Sequence, residues 1–113
     1  MRAIPKKLLI HNLNIYEEVS TKDWDSKKLK KIGDLKRVRI EHSSKIIRDK
    51  NNAEIQLAAF IVFDCRNSLT SKTLKEDMII GFNDERYRVV SIEPMYDESR
   101  LHHYELELVR YAG

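Results

Sequence analysis

Apolar and polar residues alternate one for one along most of this chain, and no window of 11 residues keeps apolar positions at helical spacing, so the pattern predicts strands. The first runs from His11 to Val19, with Leu13, Ile15 and Val19 on one side and Asn12, Asn14, Tyr16 and Glu18 on the other. Residues 20–33 are polar and lysine-rich around a single Trp24, which predicts a loop with room for one helical turn. A second strand, Leu35 to Glu41, turns Val38 and Ile40 inward and Arg37, Arg39 and Glu41 outward. Residues 42–52 combine Ser43-Ser44, the pair Ile46-Ile47 and the turn-forming Asp49-Lys50-Asn51-Asn52. The longest strand spans Glu54 to Cys65: Ile55, Leu57, Ala59, Ile61, Phe63 and Cys65 share one face, and Gln56, Ala58, Phe60, Val62 and Asp64 share the other. Its second half is apolar on both faces, as in a strand covered on both sides or by a second subunit.

After a polar loop over 66–77, the segments 78–82 and 86–93 flank Asn83-Asp84-Glu85, a hairpin signal. Pro94 cannot donate to a ladder and is expected to end the second arm, before a turn over 95–99. The last strand, His102 to Arg110, places Tyr104, Leu106 and Leu108 opposite His103, Glu105 and Glu107. The expected fold class is all-β: a small single-domain barrel or sandwich of about six mainly antiparallel strands, which closes or protects its edges.

Composition narrows the function classes. At 113 residues the chain buries one modest core, which disfavours an enzyme with an enclosed cofactor, and no cofactor is expected. The 42% apolar share contains no run near the ~20 residues that span a bilayer, and the start, Met1 to Lys7, lacks the apolar stretch of a signal peptide, so a soluble protein without membrane contact is expected. Charged residues make up 35%, yet 21 Lys+Arg nearly cancel 18 Asp+Glu to leave +3, which is no polyanion-wrapping composition. That total conceals a polarity: residues 1–75 carry 17 basic and 9 acidic side chains, and residues 76–113 carry 4 and 9. The densest basic stretch holds Lys27, Lys28, Lys30, Lys31, Lys36, Arg37 and Arg39. Opposite charge at two ends suits head-to-tail contact between copies, in which each presents two different complementary surfaces.

Candidate chemistry is sparse. His102, His103 and Glu105, with Asp64 and Cys65, offer metal-ligand types, but neighbours on a strand point to opposite faces, so the two histidines reach one ion only if a bulge intervenes. Cys65 coexists with His11, His42, His102 and His103, yet it lines up with Ile61 and Phe63 on an apolar face where a thiol behaves as a small hydrophobe. As the sole cysteine it forms no intrachain disulfide, which fits a reducing compartment. Gly33, Gly81 and Gly113 are too widely separated to make a phosphate-cradling loop. Basic loops and Tyr16, Trp24, Phe82, Tyr87, Tyr96, Tyr104 and Tyr111 keep an oligonucleotide-binding barrel open as an alternative, weakened by the acidic final third.

The order of segments carries more than any single motif. Residues 35–44 (LKRVRIEHSS), 55–64 (IQLAAFIVFD), 77–94 (DMIIGFNDERYRVVSIEP) and 102–108 (HHYELEL) together resemble the minor capsid and head-tail joining proteins of tailed bacteriophages. The opening IPKKLLIH (4–11) and SKIIRDK (44–50) look most like the minor capsid branch. The resemblance implies a non-enzymatic virion structural protein, made in the bacterial host cytoplasm. It implies a small barrel assembling with itself as a homo-oligomeric ring in the neck, or head-tail connector, between portal or adaptor and tail proteins. A capsid-surface or tail-associated role for the same fold is the neighbouring reading. In a head-closure ring the loop over 42–52 is the expected channel element, with Lys45, Arg48 and Lys50 able to meet the phosphates of passing DNA. Phe60, Val62, Lys27, Lys28, Lys30 and Lys31 are the expected subunit contacts.

Overall fold

In the computed structural model, which describes residues 2–20 and 27–111, nine strands follow a short 3-10 turn at Lys6–Leu8. They are β1 (His11–Ser20), β2 (Lys27–His42), β3 (Ile46–Arg48), β4 (Glu54–Gln56), β5 (Ala59–Asp64), β6 (Leu69–Thr70), β7 (Ile79–Phe82), β8 (Glu85–Asp97) and β9 (Arg100–Arg110). The main sheet has the order β1-β7-β8-β9-β5-β2-β6, and β1 also pairs with β2, so six strands close on themselves as an antiparallel barrel with β6 appended to β2. Closure removes sheet edges, the outcome expected for a small all-β chain.

The alternation read from the sequence builds the interior. Ile40, Ile61, Leu106 and Ile92 stand side by side across β2, β5, β9 and β8, and Ile15, Ile80 and Tyr87 across β1, β7 and β8. Ile15, Leu35, Val38, Ile61, Ile80, Val89, Leu106 and Leu108 are completely buried, each contributing roughly 1.5–3 kcal/mol of transfer free energy. A barrel of this size is filled by its side chains and leaves no lumen.

Register slips bend the strands into closure. Asn12 opposes both Lys36 and Arg37, and Ile32, Val90 and His102 are each left over against the partner strand. Arg37 takes a left-handed backbone (φ 55°), so Lys36 and Arg37 both face outward between buried Leu35 and Val38. The Asn12 side chain accepts the Arg37 N–H at 3.2 Å. The β7–β8 turn is Asn83-Asp84, both left-handed (φ 49° and 64°), the backbone that a two-residue hairpin requires and that Asn and Asp tolerate.

The structure corrects several sequence expectations. The loop expected at 20–33 is strand from Lys27 onward, because its lysines alternate along a ribbon that pairs with β1 rather than along a core strand; Trp24 lies outside the described residues. The strand expected from Glu54 to Cys65 is split. β4 pairs only with β3, and the chain crosses at Leu57-Ala58 into the barrel as β5. Asp64, on the face shared with Phe60 and Val62, is completely buried, and Cys65, placed on the apolar face with Ile61 and Phe63, is exposed in the turn that follows. Pro94 does not end β8, which continues to Asp97. Beyond the Val89–Met78 pairing β8 has only β9 as a ladder partner, so the missing N–H faces an open edge.

Residues 2–10 close one end of the barrel. Leu9 is buried, Ile4 N–H donates to Asp64 Oδ1 (3.1 Å), and the Asn67 amide donates to the Ile4 carbonyl (2.8 Å). Asp64 Oδ2 accepts the N–H groups of Arg66 (3.1 Å) and Asn67 (2.7 Å), so this buried carboxylate is met by three backbone donors.

Candidate interaction surfaces

Three hairpins leave the barrel. The first is the outer part of β1–β2. β1 pairs with β7 only over Asn14 to Tyr16, and β2 pairs with β5 only from Arg39, so residues 17–20 and 27–30 form a two-stranded arm. Its root is fixed by Tyr16, whose ring lies over Gly81 where a Cβ would fall 2.5 Å from Tyr16 Cε2. The Arg86 guanidinium sits 4.6 Å from the same ring centroid. The Tyr111 hydroxyl donates to Glu18 Oε1 (2.8 Å), and burial, then this bond, pushes the phenol upward. Lys28 and Lys30 are exposed and have no carboxylate partner among the described residues, whereas Lys31 pairs with Asp34 at 3.0 Å; the Lys27 side chain lies outside the described residues.

The second hairpin, β3–β4, carries the expected channel residues, and all three are exposed and neutralised within the chain. Lys45 Nζ lies 3.8 Å from Glu107, Arg48 pairs with Glu54 at 3.4 Å, and Lys50 lies 3.6 Å from Glu76. Lys45 and Lys50 reach barrel-side carboxylates, which holds the hairpin against the outside of β8 and β9. The Asp49 carboxylate accepts the N–H groups of Asn51 and Ala53, both at 2.9 Å, and shapes the tip.

Beside this hairpin lies the outer face of β2, β5, β9 and β8. One row across it reads Glu41, Phe60, Glu107, Ser91, and the next reads Arg39, Val62, Glu105, Glu93. Phe60 and Val62 are half-buried. Glu107 is only 7% exposed, accepting from the Ser91 hydroxyl (2.5 Å) and facing Lys45. Arg39 and Glu41 neutralise each other at 2.6 Å. Glu93 stands directly opposite Glu105, and His103 Nε2 lies 3.8 Å from the Glu105 carboxylate. Two carboxylates facing across neighbouring strands destabilise the free sheet.

The third hairpin ends β8–β9 and exposes Met95 and Tyr96. Its bulge at His102 brings the neighbouring imidazoles together, against the simple two-face expectation. His102 Nε2 donates to the Arg2 carbonyl (2.7 Å), which leaves its Nδ1 to accept from His103 Nδ1 at 2.8 Å. The bulge makes a hydrogen-bonded pair tied to the amino-terminal segment; among the described residues no group of three ligand-type side chains is arranged to hold a metal. Burial, then Asp64, pushes the Cys65 thiol up, away from the reactive thiolate.

The order of strands and the positions of the hairpins are those of residues 5–108, and this span matches the family described as minor capsid protein. The chain belongs to that family. It is a phage structural protein, a component of the virion. No curated protein matches it, and no solved structure does. For this minor capsid protein, the sequence-predicted contact residues fall into two groups at separate places. Phe60 and Val62 sit together on one barrel face, and Lys28, Lys30 and Lys31 sit on the arm, about 26–43 Å away along β2 at ~3.3 Å per residue. Sequence reading missed Glu107 and Glu93 as parts of the Phe60–Val62 surface, although their period-two positions opposite Leu106, Leu108 and Ile92 were the available signal.

Proposed function

We propose that this minor capsid protein is a head-closure component of the head-tail connector, assembling as a ring between portal or adaptor and tail. The observation that carries the reading is family membership over residues 5–108 of a closed barrel that projects three hairpins. A closed barrel is a rigid body, and outward hairpins are the part of it that reaches neighbours above, below and beside it in a ring. The β3–β4 hairpin is the channel-facing element of that ring. Its Lys45, Arg48 and Lys50 meet DNA phosphate only by exchanging Glu107, Glu54 and Glu76 for it, so contact with DNA is transient and salt-sensitive. The same neutralisation argues against an oligonucleotide-binding barrel as the main role.

Gold-labelled antibody on intact virions tests the placement: label confined to the neck is expected. Label spread over the capsid or along the tail would assign the protein to those surfaces instead. Deletion of the gene is expected to yield filled heads that lose DNA and carry no tail.

A further inference from the structure

We infer that the outer face centred on Phe60, Val62, Glu93 and Glu105 receives the β1–β2 arm of a second copy, with Lys28 and Lys30 set against Glu93 and Glu105. The inference rests on the ring reading above and gives it a contact.

Five observations converge on it. The arm is a two-stranded ribbon standing off the barrel, and an isolated ribbon of this kind is marginal in water unless something covers it. The overall extents of 50 × 31 × 22 Å give the barrel one long dimension. Lys28 and Lys30 share one face of β2 two residues apart, and neither has a carboxylate partner among the described residues; Glu17, across from Lys30, makes no ion pair with it. On the receiving face Glu93 opposes Glu105 directly, a like-charge pair that a neighbour's ammonium groups would relieve. Next to that pair Phe60 and Val62 keep apolar surface on the outside of a closed barrel, where alternation normally delivers polar residues.

Geometry also selects a second copy over self-contact. Lys30 and Arg39 belong to one strand, nine residues apart, and among the described residues neither Lys28 nor Lys30 pairs with Glu93 or Glu105 of its own chain. Arm and face are different surfaces, so the contact is heterologous and propagates from copy to copy, closing when the rotation per copy divides a full turn.

Charge exchange tests this contact. The wild-type chain is followed by sedimentation velocity over a range of concentrations at low and high salt. It is then compared with K28E/K30E, with E93K/E105K, and with an equimolar mixture of the two variants. Each variant alone opposes like charges and is expected to associate about tenfold or more weakly than wild type. In the mixture the reversed arm of one meets the reversed face of the other, and the intact arm meets the intact face. Association is therefore expected to return with alternating composition, a result that misfolded variants cannot produce. Wild-type association that neither variant weakens would overturn the arm-to-face contact and leave the ring reading standing. A wild-type chain that stays monomeric at every salt and concentration would overturn self-assembly of the ring, and the contact with it.

Discussion

Two lysine-bearing hairpins adjoin the two ends of one strand, and the chain treats them differently. At the start of β2 the arm carries Lys28 and Lys30 into solvent without partners among the described residues, yet its root is locked by Tyr16 packed on Gly81. Beyond the end of β2 the β3–β4 hairpin has Lys45, Arg48 and Lys50 all paired, yet Lys45 and Lys50 are what tie it to barrel carboxylates. Packing at Tyr16 roots the arm and leaves Lys28 and Lys30 without a carboxylate partner among the described residues; charge holds the hairpin and is used up in doing so. A lysine count alone therefore predicts neither element's role.

The difference between the two hairpins can be broken at several strengths. The largest effect removes the ground both stand on: Ile61→Ala, at a completely buried position where β5 joins β2 and β9, is expected to cost about 2–5 kcal/mol and to loosen both hairpins equally. Thermal or denaturant unfolding reads the cost, and amide exchange reads its even spread. Gly81→Ala separates the two. Its methyl group must displace the Tyr16 ring, for a loss of about 1–3 kcal/mol, with exchange accelerated over 16–20 and 27–31 and unchanged over 46–56. Glu107→Gln works the other way. It keeps an acceptor for Ser91 and deletes the charge facing Lys45, so about 0.2–1 kcal/mol is lost from residues 46–56 and nothing from the arm. Raising ionic strength should imitate that result, again in the hairpin alone.

Acid gives the smallest effect. The Tyr87 hydroxyl, then Arg110, holds the Glu85 carboxyl below the usual range. A depressed carboxyl contributes stability above its ordinary titration range and loses it as pH falls through the lowered value. The expected result is local to this cluster: NMR shifts at Tyr87 and Arg110 move together with those of Glu85 on acidification.

Much of the barrel was legible in the sequence because strand periodicity is a local property. Leu13, Ile15, Val38, Ile40, Ile61, Leu106 and Leu108 all lie where alternation puts them. Three features depend on what lies across a strand and left no periodic trace. Lys27 to Ile32 reads as loop because a ribbon outside the core needs no apolar face. The complete burial of Asp64 goes unread because its partners are backbone N–H groups from Ile4, Arg66 and Asn67. His102 and His103 read as facing apart because the bulge is visible only in the register with Met95 and Tyr96. For the interaction surfaces, Phe60 and Val62 were found by their excess hydrophobicity, whereas the opposition of Glu93 to Glu105 is a cross-strand fact that no single segment contains.

The closure of the barrel also sets a timetable for its own formation. β1 must meet β7, whose residues lie more than 60 positions later, and Arg2 must await His102 before its carbonyl finds a donor. A chain emerging from the ribosome cannot complete the cylinder until nearly all of it has appeared, so the search that ends in closure is non-local and belongs to the slower, millisecond-to-second class of folding reactions. The seam that finishes the fold is also the root of the arm. The chain thus acquires a firmly rooted arm only on completing itself.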